Sequence, residues 1–242
     1  MTGGSIDAYD LPERVARYDA DMAVMHPNRA KMVEVALAVL PFGREEPLSA
    51  LDIGAGTAYF TARFLGAFPR ARVHALDGAE AMIELAAERL GPRRESVTFS
   101  VGDFRDLGRI LAGERFDVVF SSYALHHLTR DEKTSVVGDA VSLLQPGGWL
   151  LNADIIVAES KRIEERVQDI RVRGILQRAA AGDPRFAGYD ATRRYLDEME
   201  AAEGDRPITL AEDLLVLREA GLEDVEVFWL EYREAVTGGR EP

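Results

Sequence analysis

The sequence contains no cysteine, no run rich in lysine or arginine, and no apolar stretch near the roughly 20 residues of a membrane span. Without cysteine, disulfides, thiolate metal ligands and cysteine nucleophiles are excluded. The net charge of −13 argues against a nucleic-acid substrate, because phosphate backbones bind basic surfaces. The first residues lack the basic and apolar segments of a signal peptide, so we expect a cytoplasmic enzyme with a small substrate and no membrane contact.

Apolar runs that read as strands alternate with helical stretches over residues 46–155, which we expect to form the core of one domain of 242 residues. The apolar runs lie at 48–53, 71–76, 97–101, 116–121 and 148–155. Such alternation predicts an α/β fold, with a Rossmann-like, mostly parallel sheet of seven strands and helices on both faces.

Three further regions surround this core. Residues 1–45 read as an N-terminal helical cap, 156–208 as a helical insertion after the fifth strand, and 209–242 as a closing helix and strands. The insertion is far longer than an ordinary connection, so we expect a lid that selects the substrate. A dimer contact or a solvated appendage stays open as the alternative. The expected lid contacts are Phe186, Tyr189, Arg193 and Tyr195.

The most informative motif joins the first strand to the next helix, and it reads Asp52-Ile53-Gly54-Ala55-Gly56-Thr57-Ala58. Glycines there allow a tight turn and a close approach to a ligand, and the helix that follows offers free N–H groups. A dinucleotide site needs glycine or alanine at position 59, where this chain has Tyr59. Asp52 suits a ligand whose nearby end carries an ammonium group. The motif therefore favours a cofactor other than a dinucleotide.

Acidic residues follow the next two strands. Asp77 ends the second strand, where a carboxylate can accept hydrogen bonds from both ribose hydroxyls. It can equally cap the helix at 79–90. After the third strand, Asp103 can accept from an adenine amino group and Phe104 can pack on the ring. A cap and a core aromatic residue are the alternative for that pair.

A fourth motif, F-D-V-V-F-S-S-Y-A-L-H-H-L, spans 116–128, and L-Q-P-G-G spans 144–148. Taken in order, these motifs resemble the class I S-adenosylmethionine-dependent methyltransferases over residues 48–155. The resemblance implies S-adenosylmethionine as the cofactor. The contacts it implies are Asp52, Gly54, Ala55, Gly56, Thr57, Asp77, Gly78, Met82, Asp103, Phe104, Ser121 and Ser122. One departure is Ala58, which stands where the family more often has a third glycine.

The segment R-E-A-G-L-E-D-V-E-V-F-W at 218–229 is similar to a subgroup that includes carboxy-S-adenosylmethionine synthases and many small-molecule methyltransferases. In that subgroup an N-terminal helix closes over the cofactor. The resemblance makes Tyr18 and Arg29 candidate cofactor contacts, and two helix-surface residues are the alternative.

His126 and His127 are the candidate catalytic residues, since an imidazole can act as a general base toward the acceptor. In the alternative, one histidine packs near the cofactor and the other caps the turn. Neighbouring residues at a strand end point in different directions, and no H-x-x-x-H spacing occurs. The sequence therefore predicts no metal site.

Together these features imply methyl transfer from S-adenosylmethionine to an oxygen, nitrogen or carbon nucleophile of a small-molecule acceptor. Two alternatives stay open. A carboxy-S-adenosylmethionine synthase would need an arginine for the added carboxylate, for which Arg193 and Arg194 are the candidates. A catalytically inactive cofactor-binding subunit is the other. Whether the chain forms a homodimer is left open.

Overall fold

A single sheet organises the described residues of this computed structural model, which are Ile6, Tyr9 and 12–242. Its strands are β1 (Ser49–Ile53), β2 (Arg72–Asp77), β3 (Val97–Val101), β4 (Phe116–Ser122), β5 (Leu144–Ile155), β6 (Glu223–Glu231) and β7 (Glu234–Arg240). The order is β3-β2-β1-β4-β5-β7-β6. Strands β1 to β5 pair in parallel, whereas β7 is antiparallel to β5 and β6. The predicted seven-stranded Rossmann-like α/β fold is confirmed.

Helices cover both faces of the sheet. They are α1 (Pro12–Met25), α2 (Arg29–Val39), α3 (Tyr59–Ala67), α4 (Glu80–Leu90), α5 (Leu107–Ile110), α6 (Arg130–Ser142), α7 (Lys161–Arg178), α8 (Tyr189–Glu203) and α9 (Leu210–Glu219). Capping boxes begin α6 at Thr129 and α9 at Thr209, as the sequence pattern indicates. Among the described helices, none combines the length and apolar content that a bilayer crossing requires.

The central strands β1 and β4 are apolar on both sides because they pack against helices on both faces. On β1, Ala50 belongs to the cluster under α2, α3 and α4, while its neighbour Leu51 belongs to the cluster under α5, α6 and α9. Alternate side chains of a strand point to opposite faces, so both clusters draw on the same strands. On the first face, Phe60 and Phe64 of α3 contact the ring of Phe120 on β4, with centroids 4.3 and 5.0 Å apart.

The chain order reverses at β1, which lies between β2 and β4. Connections on the two sides of such a point leave in opposite directions and open a crevice at the carboxyl ends of the strands. The crevice here lies between the turn after β1 and the turn after β4. The sequence motifs at Gly54 and His126 fall in these two turns.

The region predicted as an insertion, 156–208, contains α7 and α8. Its two ends meet, since the Val157 N–H donates to the Ile208 carbonyl at 3.0 Å. The helices enclose a small apolar cluster of their own, which also takes in Met25 at the end of α1. Phe186 belongs to this cluster and is buried. The helical pair therefore packs on α1, above the carboxyl end of the sheet.

Asp52 is buried at the end of β1, beneath the turn that follows. The Thr61 hydroxyl of α3 donates to one carboxylate oxygen at 2.6 Å, and the other oxygen has no hydrogen-bond partner among the described residues. Burial removes the hydration of the charged form and raises the pKa of Asp52 to about 7. Near neutral pH, much of this carboxyl group is protonated.

This raised pKa makes stability depend on pH. The unfolded carboxyl releases its proton near its ordinary pKa of 3.8, and the folded one near 7. The folded chain therefore holds more protons between these values, and the free energy of unfolding falls as pH rises through that interval. In urea unfolding of the ligand-free protein, we expect the wild type to lose about 3 kcal/mol more than Asp52→Asn between about pH 5 and pH 8. Parallel pH profiles would show that the folded carboxyl is already ionised.

Candidate active site

The turn after β1 brings two strand ends unusually close. Gly54 has φ +69°, and a Cβ atom there would lie 2.4 Å from the Cβ of Ala124, in the turn after β4. Gly56 has φ +51°, and a Cβ atom there would meet no atom of the described residues within 4 Å. Ala58, at the position of the family's more common third glycine, has φ +55°, a strain of about 1–2 kcal/mol for a residue with a side chain. Glycine is thus required at Gly54 by contact and at Gly56 by conformation.

Asp77 fastens this turn to the end of β2. One carboxylate oxygen accepts the Gly56 N–H at 2.7 Å, and the other accepts the Ala79 N–H at 2.9 Å, just before α4. The N-cap of α4 is Ala79, and no side chain caps the first turn of this helix, so the capping alternative for Asp77 is not found. Asp77 also lines a cavity above the turn. Because each carboxylate oxygen can accept more than one hydrogen bond, these two contacts do not exclude a ligand.

The glycine-turn cavity is this space, about 460 Å³ including the part open to solvent. Its lining residues are Ile6, Tyr9, Tyr18, Gly54, Gly56, Asp77, Gly78, Ala79, Met82, Phe104, Tyr123, Ala124 and His127. The carboxylate of Asp77 faces it beside the apolar side chains of Met82 and Phe104. The cavity therefore offers one acid, backbone groups and flat apolar surface.

Half of the predicted cofactor contacts line the glycine-turn cavity: Tyr18, Gly54, Gly56, Asp77, Gly78, Met82 and Phe104. The others do not line it: Asp52, Ala55, Thr57, Asp103, Ser121, Ser122 and Arg29. Asp103 instead accepts the Arg105 N–H at 2.8 Å and caps the 3₁₀ turn Phe104–Asp106. Ser121 donates to the Ile53 carbonyl at 2.8 Å and joins β4 to β1. Asp103 and Ser121 therefore form hydrogen bonds with the backbone and do not line the cavity.

Arg29 and Thr57 hold α1 against the glycine turn rather than facing the cavity. Both bind the carboxylate of Asp19 on α1, Arg29 at 2.9 Å and the Thr57 hydroxyl at 3.1 Å. The guanidinium of Arg29 also lies 3.8 Å from the ring centroid of Tyr59. Burial alone would raise the pKa of Asp19, but hydrogen bonds from Arg89 and Arg29 lower it. These contacts hold α1 beside the glycine turn, and its closure over a cofactor stays a prediction.

A second space, the lid cavity, adjoins the first beneath α1, α7 and α8, with about 590 Å³ including its opening. Its lining residues are Tyr9, Arg14, Tyr18, Asp21, Met22, Met25, His26, Tyr123, His126, Ile155, Arg171, Tyr195, Met199, Glu203 and Asp205. Three tyrosines, Tyr9, Tyr18 and Tyr123, line both cavities. Two ligands, one in each cavity, would therefore meet at this shared wall.

The expected lid contacts separate into three groups. Tyr195 lines the lid cavity, and Phe186 is buried in the core of the lid. Tyr189 and Arg193 lie on the outer surface along a different groove, where Arg193 pairs with Asp197. The two arginines considered for an added carboxylate, Arg193 and Arg194, line neither cavity. Of the predicted contacts in the insertion, Tyr195 alone faces the lid cavity.

Tyr123 occupies the shared wall in an uncommon conformation, with φ +49°. Its hydroxyl donates to Glu234 at 2.8 Å, and the ring lies 4.7 Å from that of His26, which contacts the same carboxylate at 3.0 Å. Burial and then the Glu234 charge hold the pKa of Tyr123 well above its usual value. A bulky residue with positive φ persists only where its surroundings enforce it. These buried contacts hold the Tyr123 side chain in place where it lines both cavities.

The two histidines lie in the 3₁₀ turn Leu125–His127, and their rings lie 4.1 Å apart between centroids. The expectation that neighbouring side chains diverge does not hold, because the chain has left the extended conformation of β4. Asp154 contacts Nδ1 of His126 at 2.6 Å. The Oδ1 atom of Asp205 lies 3.6 Å from Nε2 of His126 and 2.9 Å from Nδ1 of His127. His126 faces the lid cavity and His127 the glycine-turn cavity.

The two imidazole rings differ in the direction of their pKa shifts. Burial disfavours the imidazolium of His126, but the charges of Asp154 and Asp205 outweigh it, and the pKa of His126 lies above its usual value. Burial and the neighbouring His126 lower the pKa of His127. A proton shared by the pair therefore resides on His126.

Comparison with known proteins agrees with this architecture. The family profile described as a methyltransferase domain matches residues 50–148. An uncharacterized methyltransferase of Anoxybacillus flavithermus is 33% identical over 129 residues, which cover 53% of this chain and 57% of that protein. The chain thus spans little more than half the length of the curated relatives it matches.

Solved structures share the fold. An O-methyltransferase family protein from Burkholderia thailandensis superposes with a TM-score of 0.66 at 20% identity, covering 99% of this chain and 63% of that one. The mitomycin 7-O-methyltransferase MmcR gives 0.63 at 19% identity, covering 99% and 61%. Over residues 50–148 the chain thus matches the profile of a methyltransferase domain, and it shares the fold of these solved structures.

Proposed function

We propose that this chain transfers the methyl group of S-adenosylmethionine to a hydroxyl oxygen of a small, planar acceptor held in the lid cavity. The observation that carries the proposal is the wall common to the two cavities, formed by Tyr9, Tyr18 and Tyr123. A donor on the glycine turn and an acceptor beneath the lid meet there. Structural neighbours with the word O-methyltransferase in their names support oxygen as the acceptor atom.

The glycine-turn cavity fits the cofactor by its chemistry. Asp77 supplies a carboxylate for the ribose hydroxyls, and Met82 and Phe104 supply apolar surface for the adenine ring. The open space in front of Gly56 leaves room for the methionine end. When bound, the cofactor supplies a methyl group on a positively charged sulfur, and the sulfur keeps the electron pair of the breaking S–C bond as the new O–C bond forms.

The lining of the lid cavity favours an uncharged aromatic acceptor. Tyrosine rings and the thioethers of Met22, Met25 and Met199 line it, and such side chains adapt to flat apolar molecules. Its two arginines already have carboxylate partners, Arg14 with Glu203 and Arg171 with Glu200. These pairings favour a hydroxyarene over an anionic substrate. They also disfavour a carboxy-S-adenosylmethionine synthase, which needs an arginine for the added carboxylate.

The contribution of the chain to the reaction is placement and exclusion of water. Asp19 holds α1 on the glycine turn, and Glu203 of α8 binds Arg14 of α1 and the Tyr9 hydroxyl. These contacts close both cavities from above. Orientation of two reactants can supply roughly 7–11 kcal/mol of barrier reduction. The acceptor hydroxyl must also ionise, and His126 and His127 are the groups we assign to that task.

The cofactor assignment predicts the effect of Asp77→Ala. Loss of a charged acceptor costs about 1.5–3 kcal/mol, so the affinity for S-adenosylhomocysteine should fall about 10- to 150-fold in isothermal titration calorimetry. The ligand-free protein should also unfold more readily, because Gly56 loses its hydrogen bond. Asp117→Ala is the matched control. Asp117 accepts the Ser49 N–H at 2.7 Å at the opposite end of the sheet, so its loss should cost stability without changing the affinity. Equal affinities in all three proteins would remove Asp77 from the cofactor site.

The acceptor assignment predicts that Tyr195 and Tyr189 behave differently. The experiment incubates the protein with methyl-labelled S-adenosylmethionine and a panel of small hydroxyarenes, and follows the labelled methyl ether by mass spectrometry. With an acceptor so found, Tyr195→Ala should change KM or kcat about tenfold, equivalent to about 1.4 kcal/mol, with cofactor affinity within about threefold. Tyr189→Ala should match the wild type, because Tyr189 is 39% exposed on the outer surface. No labelled ether from any hydroxyarene, or equal effects of the two substitutions, would contradict the assignment.

A further inference from the structure

His126, His127 and Asp205 form a cluster, called here the histidine cluster, where the two cavities meet. The atoms His126 Nε2, His127 Nδ1 and Asp205 Oδ1 all lie within 4.8 Å of one another. A metal ion about 2.1 Å from each ligand places ligand pairs about 3.0 Å apart at a right angle and about 3.4 Å apart at the tetrahedral angle. The Asp205 oxygen lies 2.9 and 3.6 Å from the two nitrogens. These two oxygen–nitrogen distances therefore fit ligands that share one ion.

Two of these atoms are buried and lack a hydrogen-bond partner among the described residues, namely His127 Nδ1 and Asp205 Oδ1. Their side chains are only 5% and 7% exposed. The two atoms lie 2.9 Å apart, at the distance of an ion pair. A buried polar atom without a partner is costly and calls for an explanation. A cation between the two atoms would satisfy both.

The surroundings orient His126 as a metal ligand. Asp154 binds its Nδ1 at 2.6 Å, which leaves Nε2 directed toward Asp205. A carboxylate on the second nitrogen is the usual support of a metal-binding histidine. The Arg206 N–H donates to the His126 carbonyl at 2.7 Å and ties the loop of Asp205 to the histidine turn. The carboxylates of Asp154 and Asp205 carry two negative charges, which a divalent ion balances.

We propose that the histidine cluster binds one divalent, imidazole-preferring transition metal ion of the zinc type. Two nitrogens and one carboxylate favour such an ion over magnesium or calcium, which prefer oxygen ligands. Three protein ligands leave a position open, as in catalytic sites. His126 and Asp205 line the lid cavity, so that position faces the acceptor. The sequence-based prediction of no metal site rested on diverging side chains, and these side chains converge.

The role of the ion toward the acceptor rests on the proposed function, whereas its binding does not. The acceptor hydroxyl would bind the open position and release its proton to water, because a divalent ion stabilises the oxyanion. Methyl transfer would then occur from the oxyanion. His126 and His127 would ionise the acceptor through the metal.

Metal binding can be measured without cofactor or acceptor. The full chain is stripped with a chelator, dialysed and titrated with Co²⁺, whose visible absorption reports tetrahedral or five-coordinate nitrogen ligation. We expect one ion per chain, displaced by Zn²⁺. Asp205→Ala and His127→Gln should each abolish the spectrum, and Asp154→Asn should weaken binding about 10- to 100-fold. His74→Gln is the matched control. His74 lies on β2, away from the cluster, and its Nε2 atom is 2.8 Å from the Ser100 hydroxyl oxygen. This variant should bind Co²⁺ as the wild type does.

A cooperative urea unfolding transition in each variant shows that it is folded. Absence of a Co²⁺ spectrum in the wild type, or a spectrum that persists in both Asp205→Ala and His127→Gln, would overturn the metal site. Wild-type transfer rates in the metal-free enzyme would overturn its role toward the acceptor and leave the proposed function intact. Stoichiometric binding without methyl transfer to any acceptor would support the site and count against the proposed function.

Discussion

The close approach of Gly54 to Ala124 is the constraint on which the site depends. With no side chain at Gly54, the turn after β1 packs against the turn after β4. Asp77 then holds the next peptide group in place by accepting the Gly56 N–H. The glycine-turn cavity and the histidine turn are therefore positioned by the same contact. A larger residue at Gly54 would separate the strand ends and move both halves of the site at once.

The two cavities share residues that long-range contacts hold in place. Asp19 accepts a hydrogen bond from the Thr57 hydroxyl, which holds α1 against the glycine turn. The same helix presents Tyr18 to both cavities, and Glu234 fixes Tyr123 beside it. Tyr18 and Tyr123 therefore belong to the lining of both cavities.

The sequence predicted what lies close along the chain and missed what packing brings together. Gly54 and Asp77 occupy strand ends, and parallel strands place such ends at one edge of the sheet. Glu234 lies 111 positions after Tyr123 in the sequence and accepts a hydrogen bond from its hydroxyl. Asp205 lies in a loop where the sequence shows no motif. The resemblance made Arg29 a candidate cofactor contact, but its interactions with Asp19 and Tyr59 hold its side chain outside the glycine-turn cavity. Local patterns thus predict the fold and the cofactor turn, whereas the acceptor side depends on tertiary packing.

The central claim is that the glycine turn and Asp77 hold S-adenosylmethionine, and thermal unfolding with its product tests this most directly. S-adenosylhomocysteine at 100 times its dissociation constant should stabilise the folded chain by about 2.7 kcal/mol. For a chain of this size, Tm should rise by roughly 5–10 °C. NAD should leave Tm unchanged, because Tyr59 stands where a dinucleotide turn needs a small residue. A rise in Tm with NAD and none with S-adenosylhomocysteine would contradict the account.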